Sequence, residues 1–311
     1  RQRVLAVAKK LGYSKTGNGI LLQNPSISTI GLLTRSDPDG GSMLTNTFFS
    51  QIIVNIEREC QRNNLNLMYA NIEVDENGHT NNMPPMLLDE LVDGVIVVGA
   101  FIEDTITDIY RRAGNNIVLI DGYTAAEIAF DSILIDNRQG AALATEHLIK
   151  NGHRKIGLIG SNINDYPSIA QRREGYLQTL ARHGIHESYI GESNLLVHTG
   201  YEATLRLMKK HPEITAIFAC NDVTAVNAVI AALRELGYRV PDDISVIGFD
   251  DTDIASQSNP TLTTIRVDRE LMGILGVQRL IEQSKNPERS PIKTLISTQL
   301  IERHSVKRLV D

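Results

Sequence analysis

Short apolar runs alternate along the first half of the chain with longer stretches that carry one apolar face. In residues 48–63, for example, Ile52, Ile56 and Cys60 recur at helical spacing. β-Branched runs separated by such helices are typical of βαβ units, whose strands form a parallel sheet. The pattern predicts strands at 29–34, 65–70, 94–98 and 117–120, and helices at 48–63, 86–91 and 104–113.

The same alternation starts again after residue 136. Its last helix is rich in alanine and is followed by Gly237, a common residue just beyond a helix end. Two rounds of one pattern predict an α/β protein with two Rossmann-like lobes, each built on a parallel sheet. The second round comprises helices at 138–151, 170–183, 199–211 and 223–236, and strands at 155–159, 216–219 and 246–249.

Length and composition agree with two lobes and limit the classes of function that this protein can have. With 311 residues, 42% of them hydrophobic, the chain exceeds the usual size of one domain. A net charge of -6 argues against a broad nucleic-acid-binding surface, so any DNA contact is expected to be local. The two cysteines, Cys60 and Cys220, fit reduced thiols better than a disulfide. The sequence shows no secretion signal and no stretch of about 18 apolar residues, so we expect a cytoplasmic protein without a membrane span.

The segment 241–268 carries the most specific motif. Its apolar run 244–249 ends in Asp250 and Asp251, which predicts a buried strand with a carboxylate at its carboxyl end. Open α/β sheets bind ligands at this end of their strands. After Pro260 the chain continues in β-branched residues rather than in a helix. The combination of IGFDD with PTLTTIRVD resembles the lactose-repressor (LacI/GalR) family of bacterial transcription regulators.

This resemblance implies a periplasmic-binding-protein-like fold of type I. Two lobes would enclose a ligand cleft, and three crossovers near 132–136, 264–267 and 291–296 would join them. The first lobe would comprise residues 28–133 and 266–290, and the second residues 134–265 and 291–311. The last strand, 295–301, would end in the second lobe.

The N-terminal segment resembles part of the family's DNA-binding headpiece. Residues 1–13 have helical spacing of apolar positions and two lysines in the last turn, which predicts a helix. In the family such a helix is the third of the headpiece, so the helix-turn-helix would precede this chain. Residues 14–27 match the hinge linker, where Leu22 takes the place of a leucine that enters the DNA minor groove. Gly17 and Gly19 depart from the family pattern and weaken a hinge helix by about 1 kcal/mol each.

Three second-lobe residues match ligand contacts of the family. Asp250 would accept hydrogen bonds from hydroxyl groups, and Arg172, in RREGY, would offer a planar set of donors. The two side chains are expected to grip a ligand from opposite sides. Asn221, in FACND, would supply a donor and an acceptor, while Asp222 beside it is expected to cap the following helix. Tyr166 lies in the loop before the helix that carries Arg172. It is expected either to cover the ligand as a lid residue or to take part in ordinary packing.

In the first lobe, Asn46, Phe48 and Phe49 match another family signature, in which the second aromatic residue stacks on the ligand. Thr47 replaces the usual proline, and Phe48 fits ordinary packing equally well. Asp121 ends the IVLID strand and would also face the cleft. Because the chain has no tryptophan, any stacking on a ligand must come from Phe or Tyr. The loop 35–45 is read as a turn rather than a metal site, because later calcium-ligand positions are missing.

These matches predict an effector-responsive transcription regulator, a repressor, that works as a homodimer on operator DNA. A sugar is the expected effector, and a nucleobase would suit Phe49 and Arg172 as well. The alternative is a sugar-binding receptor of a transport system, which shares the fold but lacks a headpiece. No phosphate loop, nucleophile elbow, HExxH motif or dinucleotide fingerprint occurs in the sequence, so we expect no enzyme and no cofactor.

Overall fold

A computed structural model describes residues 27–36, 46–75, 79–80, 82–99, 103–113, 116–123, 130–162 and 166–309. The predicted N-terminal helix, Leu22 and most of the loop 35–45 lie outside these residues. The chain separates into two compact units. The first comprises the described residues through Leu134 together with Arg269–Thr294, and the second comprises Ile135–Asp268 and Leu295–Asp311. The chain therefore passes between the units three times, at 134/135, 268/269 and 294/295.

The first unit contains a six-stranded sheet with strand order β11-β5-β4-β3-β1-β2. Strands β1 to β5 pair in parallel, with Gly31 of β1 opposite Val95 of β3. Its strands are β1 (Thr29–Ser36), β2 (Asn66–Glu73), β3 (Gly94–Val98), β4 (Ile117–Ile120), β5 (Asp131–Ile135) and β11 (Lys293–Ile296), and its helices are α1 (Thr47–Arg62), α2 (Pro85–Leu88), α3 (Glu103–Ala113) and α9 (Arg269–Lys285).

Continuous apolar strands and one-sided helices explain this layered core. Every residue of β3 and β4 is buried, as expected for parallel strands covered on both faces. The apolar face predicted for α1 is confirmed, because Ile52, Ile56 and Cys60 are all buried. Helix α9 lies close against α1 at Gly273, where a side-chain Cβ would come within 2.8 Å of the Ile52 carbonyl oxygen.

A buried carboxylate fixes the connection after α9 to strand β5. The Asp131 side chain is 1% exposed and is paired with both Arg289 and Arg279. It also accepts a hydrogen bond of 2.8 Å from the backbone nitrogen of Ile292. The loop between α9 and β11 is thus held by charge as well as by the sheet.

The second unit contains a four-stranded parallel sheet with order β7-β6-β8-β9 and an antiparallel pair of β10 with β12. Its strands are β6 (Ile156–Ile159), β7 (Tyr189–Gly191), β8 (Ala216–Ala219), β9 (Ser245–Ile247), β10 (Thr264–Arg266) and β12 (Gln299–Ile301). Its helices are α4 (Asn137–Lys150), α5 (Pro167–Arg182), α6 (Val197–Lys210), α7 (a π-helix over Thr224–Ile230 that continues as α-helix over Ala231–Glu235) and α8 (Asp253–Gln257).

The structure corrects the sequence prediction at the C-terminus. The predicted single strand 295–301 is two strands, β11 in the six-stranded sheet and β12 paired with β10. Ser297 and Thr298 separate them. Three further short elements, β5, β7 and α8, were not predicted, because three to five residues are too few to show a period. The helix α9 was not predicted either. Within the described residues, no helix is long and apolar enough to cross a membrane.

Candidate functional site

The carboxyl end of β9 presents Asp250 in an unusual backbone conformation. Asp250 has φ of 107°, and Asp251 has φ of 53°, values that non-glycine residues rarely adopt. Asp250 is held there because its backbone nitrogen donates to the Ile265 carbonyl at 2.7 Å. Such conformations cost free energy and occur most often at functional sites. The strand end predicted to carry a ligand carboxylate is therefore also a site of backbone strain.

Arg172 on α5 meets Asp250 in a buried ion pair. Arg172 is 5% exposed and Asp250 is 7% exposed, and the guanidinium Nη2 lies 3.3 Å from Asp250 Oδ1. The other Nη donates to the backbone carbonyl of Cys220 at the end of β8. Arg172 Nε donates to the Asn137 amide oxygen at 2.8 Å. Protein groups therefore fix the guanidinium in one orientation.

An aromatic ring supports the same guanidinium from one face. The Arg172 Cζ atom lies 3.7 Å from the centroid of the Phe249 ring, which is within cation–π distance. The ring fits because position 140 of α4 is glycine, where a Cβ would approach the ring to 2.7 Å. Helix α4 also comes close to α5, since a Cβ at Gly175 would lie 2.5 Å from the Arg138 carbonyl.

Sequence reasoning missed Asn137 and Phe249. Asn137 is fully buried at the first position of α4, directly after the N-cap Asp136. The sequence does not show that this amide is buried, and its partner Arg172 lies 35 residues away in sequence. Phe249 was read as part of an apolar strand, and only the structure shows its ring against Arg172.

The geometry corrects the expectation that Arg172 and Asp250 grip a ligand from opposite sides. They contact each other directly, so the arginine positions the carboxylate and neutralises its charge. A carboxylate held in this way still offers acceptor lone pairs to hydroxyl or N–H groups. The arrangement is thus suited to binding a neutral ligand that is rich in hydrogen-bond donors.

In the first unit, Asn46 and the two phenylalanines form the start of α1. The Asn46 side chain caps the helix, since its Oδ1 accepts from the Phe48 backbone nitrogen at 2.9 Å. Phe48 is buried and packs edge to face against Phe49, with ring centroids 5.0 Å apart. Phe49 is partly exposed. Packing therefore accounts for Phe48, and capping accounts for Asn46.

Asp121 follows β4, as predicted, and is half-buried. Its φ is 52°, and its backbone nitrogen donates to the Ile133 carbonyl of β5 at 2.9 Å. Asp121 and Asp250 therefore share two features, a position after a buried parallel strand and a left-handed backbone. The same strain marks one strand end in each unit.

Comparisons with known proteins decide the family. The sequence profile of the periplasmic binding protein-like domain matches residues 145–306. The chain is 30% identical to the HTH-type transcriptional repressor PurR of Mannheimia succiniciproducens over 313 residues, which span 99% of this chain and 90% of that protein. It is also 30% identical to the ribose operon repressor of Haemophilus influenzae over 312 residues, with the same coverage. The chain belongs to the LacI/GalR family. A LacI family regulator from Enterococcus faecium, solved with bound ribose, matches with a TM-score of 0.76 and 25% identity over 91% of this chain and 100% of that one.

In this LacI/GalR chain Asn221, rather than Asp222, caps the helix that follows β8. The Asn221 Oδ1 accepts from the Thr224 backbone nitrogen at 2.7 Å. Asp222 is fully buried and instead accepts from the Thr252 backbone nitrogen at 2.7 Å and from the Thr264 hydroxyl at 2.5 Å. The capping role predicted for Asp222 was wrong, because both of its partners are distant in sequence and a local pattern does not show them. The ligand contact expected for Asn221 stays a prediction.

Burial raises the pKa of Asp222 well above its ordinary value, and the nearby charge of Asp250 raises it further. The hydrogen bonds from Thr252 and Thr264 act in the opposite direction. Gly248 makes room for this carboxylate, since a Cβ there would lie 2.4 Å from Asp222 Oδ1. Through its hydrogen bonds to Thr252 and Thr264, Asp222 thus stabilises the strand end that carries Asp250.

Two further residues near the LacI/GalR motifs are placed clearly. Tyr166 stands at the N-cap of α5 and is 41% exposed, without a side-chain capping hydrogen bond. Asp251 is paired with Arg266 and Arg303, at 2.7 Å each, and serves the packing of β10 and the C-terminal segment. In the part of the chain that the structure describes, no group of three or more His, Cys, Asp or Glu side chains is arranged to hold a metal ion.

Proposed function

We propose that this chain is the effector-binding part of a transcription repressor that binds a small neutral sugar at Asp250. The observation that carries the proposal is the buried Arg172–Asp250 ion pair at the carboxyl end of a parallel strand. Because the pair balances its own charge, an uncharged ligand can dock without leaving a buried charge unpaired. The Asp250 carboxylate then accepts hydrogen bonds from ligand hydroxyls.

Relatives support this role without fixing the effector. The ribose operon repressor and the ribose-bound Enterococcus faecium regulator favour a sugar. A nucleobase is the second candidate, because its N–H groups also donate and the predicted ligand contact Phe49 could stack on it. The receptor reading is less well supported, since the relatives that match along 99% of this chain are named repressors.

The remaining roles follow from family membership. Operator binding, assembly as a homodimer and action in the cytoplasm are proposed for this regulator, with effector and operator binding linked by about 1–3 kcal/mol. No catalytic step is proposed. The predicted ligand contacts that no observation tests are Asn46, Phe48, Phe49, Asp121, Tyr166, Arg172 and Asn221, and Leu22 stays a predicted DNA contact.

A thermal-shift titration with D-ribose, D-galactose and adenine tests the ligand assignment. A probe that binds the folded state stabilises it by about 2.7 kcal/mol at 100 times its Kd, so the melting temperature should rise with concentration. Asp250→Asn should abolish the shift, because one oxygen acceptor becomes a donor. Asp253→Asn, an exposed acid three residues further on, is the matched control and should keep it.

A shift that persists in Asp250→Asn would place the ligand elsewhere. A shift with adenine alone would replace the sugar by a nucleobase. If no probe shifts the melting temperature at millimolar concentration, the assignment to these ligand classes is wrong.

A further inference from the structure

Asn137 links Arg172 to the place where the chain first enters the second unit. That passage lies between Leu134 and Ile135. Two residues later, the Asn137 side chain accepts from Arg172 Nε at 2.8 Å and donates from its amide nitrogen to the Ile135 carbonyl at 3.3 Å. The guanidinium that pairs with Asp250 is therefore connected by two hydrogen bonds to Ile135, the first residue after this passage.

Residues just after the first passage also contact residues just after the third passage, which lies at 294/295. Gln139 accepts from the Thr298 backbone nitrogen at 3.2 Å and donates to its carbonyl at 3.4 Å. One residue further, Gly140 lies against both the Phe249 ring and the Thr298 hydroxyl. Residues 137–140, here called the entry turn, thus contact the support of Arg172 and the chain beyond the third passage.

The second passage, at 268/269, adjoins Asp250 itself. The Asp250 backbone nitrogen donates to Ile265, three residues before the passage. Each passage therefore lies within three residues in sequence of Asn137, Ile265 or Thr298, which the contacts above connect to the Arg172–Asp250 pair. The pair is connected to these residues through hydrogen bonds and through the packing of the Phe249 ring against Gly140.

We infer that Asn137 is a positioning residue, which holds Arg172 against Asp250 and transmits the state of that pair to the entry turn. The inference deepens the proposed function, because it names how ligand engagement at Asp250 reaches the chain passages. Asn137 is fully buried and acts through Arg172. Without the Asn137 amide oxygen, the guanidinium loses its partner at Nε, one of the four contacts that fix its orientation.

Chemical modification of arginine tests the positioning role without any effector. Phenylglyoxal, a dicarbonyl reagent for accessible guanidinium groups, should leave Arg172 largely unmodified in the unaltered chain and should modify it several-fold faster in Asn137→Ala and Asn137→Leu. Asn137→Asp retains an oxygen acceptor and should restore protection. Thr145→Ala removes another buried hydrogen bond of α4, from Thr145 to the Ala141 carbonyl, and should leave Arg172 protected.

Mass spectrometry of the modified peptides gives the rate at each arginine, and Arg303 and Arg289 report any general loosening. Selective modification of Arg172 supports the inference. Equal acceleration at all three arginines, or continued protection of Arg172 in both Asn137→Ala and Asn137→Leu, overturns it.

A double-mutant cycle with hydrogen exchange tests the transmission. Asp250→Asn weakens the ion pair and should accelerate amide exchange in the entry turn. In the Asn137→Ala background the same change should have little further effect, because the connection is already broken. Additive effects of the two substitutions would show independent action and overturn the transmission step. Neither experiment uses a sugar. If no probe shifts the melting temperature, the proposed ligand is wrong, but the modification and exchange experiments still test the role of Asn137.

Discussion

At the scale of single residues, the buried acid Asp222 makes stability depend on pH in an unusual direction. Its pKa is raised by burial and by the charge of Asp250, so the folded protein holds the proton more tightly than the unfolded chain. The stabilisation is therefore fully present below the ordinary pKa of 3.8 and is lost as pH rises through the raised pKa. Each unit of pKa shift corresponds to about 1.4 kcal/mol.

Asp222→Asn should remove this pH dependence. The amide can keep one acceptor for Thr252 and turn its NH2 group toward Thr264, so stability near pH 5 should change little. Toward about pH 8 the variant should equal or exceed the unaltered chain. Urea unfolding at several pH values measures this, with Asp222→Ala as the disruptive comparison, expected to cost about 1–3 kcal/mol for each donor left unsatisfied. Parallel pH curves for Asp222→Asn and the unaltered chain would contradict the assignment.

Gly140 provides a test of packing beneath the arginine. Gly140→Ala brings a methyl group within 2.7 Å of the Phe249 ring and 2.9 Å of the Thr298 hydroxyl. Since the core is already filled, the ring must move, at a cost of about 1–3 kcal/mol. Urea unfolding should show this loss, while Lys150→Ala at the exposed end of the same helix should stay within about 0.5 kcal/mol of the parent. An unchanged midpoint for Gly140→Ala would mean that the ring has room to spare.

At the scale of elements, periodicity predicted most of the long helices and most of the fully buried strands, but it predicted neither the 17-residue helix α9 nor the strand β5. Strands β3, β4 and β8 were predicted with the bounds that the structure shows. The three-residue strand β7 and the division of residues 295–301 between two sheets depend on which neighbours are available for pairing. A local pattern carries no such information. The wrong assignment of the helix cap to Asp222 rather than Asn221 has the same cause, because partners decide which of two adjacent polar residues caps a helix.

His153 anchors the C-terminal segment to the turn after α4. Its ring bonds the Thr215 hydroxyl at 3.0 Å and the Lys307 carbonyl at 3.1 Å, and the side chain is fully buried. Burial lowers the pKa of His153, and the charges of Lys307 and His147 lower it further, while the bond to the Lys307 carbonyl opposes this. The neutral ring is thus favoured in the folded state.

Stability should consequently fall as pH drops below 6.5, because the unfolded chain then gains a proton that the buried ring resists. His153→Gln should be less stable at neutral pH, having lost part of this bonding, but should show a shallower decline between about pH 7 and pH 5. Exposed His198→Gln is the control and should follow the parent. Thermal melts across this range decide the matter, and an equally steep decline in His153→Gln would assign the effect to other groups, His147 among them.

Asp131 should be the most sensitive acid of the first unit. Removing it leaves Arg289 and Arg279, both mostly buried, without their shared carboxylate. Breaking a buried pair in this way costs about 3–5 kcal/mol. Asp131→Ala should therefore unfold at much lower urea than the parent, whereas Asp108→Ala, which removes an exposed pair with Arg111, should cost less than about 1 kcal/mol. Similar losses for the two variants would show that the cluster contributes little.

At the scale of the whole molecule, neither unit is continuous in sequence, so each depends on a segment that arrives late in the chain. In the second unit that segment is Leu295–Asp311. Within it, Ser305 accepts from the Thr263 backbone nitrogen at 2.8 Å and donates to the Val246 carbonyl at 2.6 Å. The Ser305 carbonyl also accepts from Val246 at 2.8 Å. The segment therefore completes the hydrogen bonding beside β9, the strand that leads to Asp250.

A chain ending at Thr294 should accordingly lose the second unit and keep the first. It retains the first unit, but the edge strand β11 loses its last two residues, Leu295 and Ile296. Val246 and Thr263 lose partners for buried backbone groups, and such groups are costly to leave unsatisfied. Hydrogen exchange should show β8 and β9 unprotected and β3 and β4 still protected. A chain ending at Leu309 keeps Ser305 and should match the parent in both units. If β8 and β9 stay protected without residues 295–311, the second unit folds on its own main segment, and the C-terminal residues are an accessory rather than a structural part.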